Sequence, residues 1–139
     1  ADRLVPGLNQ DTIAFTNGAR AGDGAADTVF FATGETQTVG SRPDDPLNAA
    51  LAADLVLDAE DGLDIIEFAS GFAANPAFDV ADVLQLTTTE LFGGGLYTPE
   101  DTVVFWDRDG SGALSRLDQV VAVVANFSGE LVIELEGLA

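Results

Sequence analysis

The chain has 139 residues, enough for one domain with a sizeable core, and 47% of them are hydrophobic, which argues against disorder. It carries 24 acidic residues against 5 basic ones, a formal net charge of −19, so nucleic acid and anionic membrane surfaces are excluded as direct partners. Cys, His and Met are all absent, which removes disulfides, thiolate and imidazole chemistry, and the soft metal ligands.

Oxygen-only coordination of Ca²⁺ or Mg²⁺ is the metal chemistry that remains. Self-repulsion at this charge opposes compaction unless cations or salt neutralise it. Millimolar Ca²⁺ outside a cell and the high salt of a halophile would each do so. No stretch approaches the roughly 20 apolar residues of a membrane span, and no signal-peptide core is present. Membrane insertion is therefore not expected. The start at Ala1 reads as a processed chain or a fragment.

Along the chain, one phrase recurs: an Asp, then strand-type residues, then Phe or Leu. It appears at Asp11–Phe15, Asp27–Phe31, Asp64–Phe68, Asp82–Leu86 and Asp101–Phe105, with the leading Asp residues separated by 16, 37, 18 and 19 positions. Turn formers such as Gly22-Asp23-Gly24, Glu60-Asp61-Gly62 and Thr98-Pro99-Glu100 precede the phrases. Short strands at a loose period of about 18 predict an all-β fold: a degenerate β-roll or β-solenoid, or a sandwich-like domain. Any β protein with acidic turns also produces such phrases.

Between the second and third phrases the spacing predicts one short helix near residues 46–55. Asp45 would cap it, Pro46 would open it, and Leu47, Leu51 and Leu55 would form its buried face. Residues 72–83 are ambiguous, broken by Pro76. Phe92-Gly93-Gly94-Gly95-Leu96 reads as a flexible loop without the Lys of a phosphate cradle. Glu130–Glu136 alternates and should be a terminal strand, with Leu131, Ile133 and Leu135 on one face.

The most specific stretch is Asp107–Asp118. Oxygen-bearing side chains stand at its first, third, fifth, ninth and twelfth places: Asp107, Asp109, Ser111, Ser115 and Asp118. Ala113 would lend its carbonyl, and Gly112 stands sixth, where a loop wrapped around a hard cation turns sharply. The twelfth ligand is Asp where the longer Glu is usual, so weak binding is expected, with a dissociation constant on the order of 10⁻⁴ to 10⁻³ M. Thr102–Trp106 enters as a strand, and the valine-rich exit Gln119–Phe127 reads as a second strand, with a helix as the alternative. A plain acidic turn is the competing account of the loop.

These phrases resemble the C-terminal domains of the repeats-in-toxin, or haemolysin-type calcium-binding, proteins that bacteria export by type I secretion. The similarity lies in Ala26–Phe31, Ala53–Phe68 and Asp101–Ala125. The family's G-G-x-G-x-D-x-U-x repeat has no intact copy; Gly62-Leu63-Asp64-Ile65-Ile66 matches half of it, which makes Asp61 and Asp64 secondary candidate ligands. The resemblance implies a secreted protein held together by Ca²⁺.

Three functional readings follow. The first is a secreted, calcium-stabilised structural or adhesive module over 1–139, able to self-associate or meet partners at the cell surface. The second is the secretion and folding domain of a larger type I secreted enzyme. Catalysis in its own right is not expected: without His or Cys no ordinary nucleophile–base pair can be assembled, and chance carboxylate pairs abound in so acidic a chain.

Overall fold

All five repeated phrases fold as strands, but they divide between two sheets. The computed structural model describes residues 3–4, 12–14, 28–31, 37–38, 45–57, 59, 64–68, 80–107, 110, 112, 114, 118–127 and 129–135. The first sheet contains β1 (Arg3–Leu4), β3 (Thr28–Phe31), β6 (Ile65–Phe68) and β10 (Val132–Leu135), in that order. Every pairing in it is parallel. The second sheet runs β2 (Thr12–Ala14), β5 (Asp54–Leu57), β9 (Gln119–Val124), β8 (Thr102–Trp106), β7 (Val83–Thr87), with β4 (Gln37–Thr38) also on β9. There β2, β5 and β9 are parallel to one another, and β7, β8 and β9 antiparallel. The chain crosses repeatedly from one sheet to the other. Both sheets stay open, and no closed roll or solenoid forms among the described residues.

This partition corrects the period near 18. The phrases after Asp27 and Asp64, 37 positions apart, lie side by side in the first sheet and in step, Thr28 facing Ile65 and Phe31 facing Phe68. Those after Asp11, Asp82 and Asp101 belong to the second sheet, the last two as an antiparallel pair. Of the three short spacings, 19 is that of a hairpin, whereas 16 and 18 each carry the chain from one sheet to the other.

Strict alternation explains the central pair of the first sheet, β3 and β6. Val29, Phe31, Ile66 and Phe68 are fully buried, while Thr28, Phe30, Ile65 and Glu67 between them are half-buried. Phe31 and Phe68 are partners in register, with ring centroids 6.2 Å apart. They pack on a core shared with Val56, Val83, Val104, Trp106, Val121 and Val124 of the second sheet. Burying each such aromatic contributes about 1.5–3 kcal/mol.

The hairpin β8–β9 is buried on both faces. Val104 and Trp106 enter the shared core; Val103 and Phe105 enter a second cluster with Ala49, Ala50 and Ala53. The register shifts between Val104↔Ala122 and Phe105↔Val120, leaving Val121 as an extra residue. That bulge lets Val121 and Ala122 both join the shared core while Val120 and Val123 join the other.

Two helices cover the outer cluster. The first, α1 (Asp45–Ala52), ends earlier than expected, because Asp54 already begins β5. Its buried face is also a different one: Ala49, Ala50 and Ala53 are buried, whereas Leu51 is 41% exposed and Leu55 sits on a strand. Small side chains let the helix lie close on the sheet. The second helix, α2 (Thr88–Phe92), follows β7 and was not anticipated. Thr87 caps it, accepting from the Glu90 N–H (3.2 Å) and donating to Glu90 Oε1 (3.1 Å). Gly93, at φ +80°, ends it in the left-handed conformation. The glycine stretch is thus a built turn: a Cβ on Gly95 would lie 1.6 Å from the Thr98 carbonyl oxygen.

The terminal strand forms over Val132–Leu135, with Leu131 just before it buried and Ile133 packed against the core; the Leu135 side chain and Glu136 lie outside the described residues. The Gln85 side chain ties this strand to β7. Its amide donates to the Leu131 carbonyl (2.9 Å) and accepts from the Leu131 N–H (2.8 Å). Residues 69–79, which include the segment around Pro76, lie outside the described residues.

Candidate cation site

The loop Asp107–Asp118 closes the β8–β9 hairpin. Trp106 pairs with Gln119, so the two terminal aspartates are brought to one end of neighbouring antiparallel strands. A strand therefore flanks the loop on each side, as the β-branched residues required. Both carboxylates are buried, Asp107 to 6% exposure and Asp118 to 0%.

The loop folds back over its first residue. The Gly112 N–H donates to Asp107 Oδ2 at 2.8 Å, which fixes one carboxylate oxygen against the sixth position. Gly110 (φ +67°) and Gly112 (φ +76°) both take the left-handed conformation that this reversal needs, at little steric cost without a Cβ. Asp109, Ser111, Ala113 and Ser115 lie outside the described residues, so of the expected ligands the structure places Asp107 and Asp118.

One more aspartate stands at the same end of the sheet. Val83, Trp106 and Gln119 are in one row across β7, β8 and β9. Asp82, Asp107 and Asp118 each stand one residue beyond, and the Asp107 N–H donates to the Asp82 carbonyl at 2.9 Å. Among the described residues no group of three or more acidic side chains is placed to hold a metal ion. Every buried side-chain nitrogen and oxygen among them has a hydrogen-bond partner. Of the secondary candidates, Asp64 is fully buried at the start of β6, and Asp61 lies outside the described residues.

A second carboxylate centre lies at the opposite end of the hairpin, and the sequence reading missed it. Asp101 Oδ2 accepts the N–H groups of Leu96 (2.9 Å), Tyr97 (2.7 Å) and Thr98 (3.1 Å). Oδ1 accepts the Thr98 hydroxyl (2.6 Å) and the Asn126 N–H (2.8 Å). Asn126 is a left-handed turn residue, φ 51°, just after β9. Asp101 is fully buried. Burial alone would raise its carboxyl; the Thr98 hydroxyl and the Tyr97, Asn126 and Thr98 N–H groups outweigh this and hold it below the ordinary aspartate value. With its oxygens so engaged, Asp101 serves as a structural clasp and has no room for a cation. The signal that could have found it is Thr98-Pro99-Glu100-Asp101, an acid closing a proline turn.

No protein-family model, curated protein or solved structure matches the chain.

Proposed function

We propose that this protein is a secreted, extracellular structural or adhesive module whose fold is stabilised by Ca²⁺ held in the Asp107–Asp118 loop. The observation that carries the reading is the pair of buried carboxylates, Asp107 and Asp118, joined by a hairpin whose loop is already folded back onto Asp107. Oxygen donors at the spacing of a cation loop suit a hard ion, and the remaining ligands would be Asp109, Ser111, the Ala113 carbonyl and Ser115.

Coupling to folding follows from where the loop sits. Its two strands contribute to both hydrophobic clusters, so fixing their junction stabilises the whole domain. With millimolar Ca²⁺ and a dissociation constant near 10⁻⁴ M, one site adds roughly 1.4 kcal/mol. Crossing chain segments and a wholly parallel sheet support kinship with the repeats-in-toxin domains, of which this chain would be a degenerate form with a broken roll.

The single tryptophan provides the test. Trp106 is the residue before Asp107, so Tb³⁺ in the loop would be sensitised by exciting it. A saturable terbium emission is expected. Ca²⁺ should displace it with a midpoint on the order of 10⁻⁴ to 10⁻³ M, and Asp107→Asn and Asp118→Asn should each abolish it. Emission that never saturates, or that survives both substitutions, would refute the site.

A further inference from the structure

Among the described residues the first sheet ends on β1 at one edge and on β10 at the other, and all four strands run the same way. A second copy added to the β10 edge through its own β1 would continue the sheet without reversing direction. We propose that copies of this chain associate head to tail by parallel pairing of β10 in one with β1 in the next. The inference rests on the assembly half of the structural-module reading, and not on the cation loop.

Main-chain geometry leaves β10 ready for this. The Val132 N–H donates to the Asp64 carbonyl at 2.9 Å, so Val132 turns its main-chain groups toward β6. Successive residues of a strand point their N–H groups to opposite sides; Ile133 and Leu135 therefore direct theirs away from β6. No described strand lies on that side. Unpaired edge groups of this kind are a template for another chain.

Charge decides which edge fits. The alternative is a two-fold contact of β10 with its own copy, antiparallel. Centred on Val132, that pairing sets Glu130 opposite Glu134; centred on Glu134, it sets Glu134 opposite itself. Centring on Ile133 brings Glu130 against Glu136 by sequence. Like charges directly opposite are destabilising, and a net charge of −19 leaves nothing to offset them. By contrast β1 carries Arg3, one of only 5 basic residues. Extending the row Arg3, Thr28, Ile65, Val132 places Arg3 of the next copy beside Val132, two residues from the exposed Glu134. Because the two surfaces differ, the contact is heterologous and has no fixed end point unless a ring closes.

Sedimentation velocity of the 139-residue chain against concentration, in CaCl₂ and in EGTA with NaCl at matched ionic strength, tests this. Circular dichroism on the same samples reports folding. Weight-average mass should rise continuously with concentration in the folded protein. Glu134→Arg and Arg3→Glu should each raise the concentration needed by about five-fold, the equivalent of about 1 kcal/mol, and the double charge swap should restore it. Ile133→Pro, which removes an outward N–H and no ladder bond, should block growth while the monomer stays folded. A folded chain that remains monomeric throughout overturns the inference and leaves the cation loop untouched. A dimer of fixed mass indifferent to Arg3→Glu overturns it in favour of the two-fold contact. A fold indifferent to calcium that still grows head to tail would instead remove the cation reading alone.

Discussion

At the scale of single residues, Asp101 shows how one carboxylate can organise a loop and a turn at once. Three consecutive N–H groups converge on one oxygen, and a hydroxyl and the turn N–H of Asn126 on the other. Hydrogen bonds to an ionised acceptor are the strong ones, so removing the charge is costly. Asp101→Asn turns an NH₂ toward groups that are themselves donors and should destabilise the fold by about 3 kcal/mol, measured by urea denaturation. The pH dependence has a definite sign. Because the folded-state carboxyl is held below its unfolded value, its stabilisation is complete above about pH 4 and is lost as pH falls through the folded value. Wild type should therefore lose stability in that acid range more steeply than Asp101→Asn.

At the scale of elements, α1 illustrates why packing overrides periodicity. Leucines at i, i+4 read as a buried stripe, yet the alanine face is the one that meets β9, where Val120 and Val123 already fill the space. Ala50→Leu should cost about 1–3 kcal/mol by overpacking, and Leu51→Ala should change stability by less than about 0.5 kcal/mol. Thermal or chemical denaturation of the two variants reads both. The reverse ranking would restore the leucine face. The same comparison shows what the sequence could tell. Strands β2, β3, β6, β7, β8 and β10 were legible because β-branched and aromatic runs are bounded by acidic turns. So was the hairpin under the Asp107–Asp118 loop. Sheet membership was not, since identical phrases serve in both sheets. The Thr87–Glu90 capping signal stood in the sequence unread, in the short gap between the Asp82–Leu86 phrase and the Phe92–Leu96 loop. The turn that carries Asp101 was legible in Thr98-Pro99-Glu100, but the full clasp was not, because four of its five donors are backbone groups.

At the scale of the whole molecule, a net charge of −19 must be reconciled with a core that buries Asp54, Asp64, Asp101, Asp107 and Asp118. Hydrogen bonding accounts for Asp101. The other buried carboxylates of the described residues also have hydrogen-bond partners, and at Asp107 and Asp118 the proposed divalent cation would add to them and would link folding to the calcium level of the surroundings. Halophilic adaptation is the rival account, and it requires salt without preference for any particular ion. Thermal unfolding in CaCl₂ against EGTA, at constant ionic strength, separates them. Calcium at about 1 mM should raise the melting temperature by on the order of 5 °C in the wild type and by nothing measurable in Asp109→Ala. A melting temperature that follows KCl concentration and is the same with calcium or chelator would contradict the account.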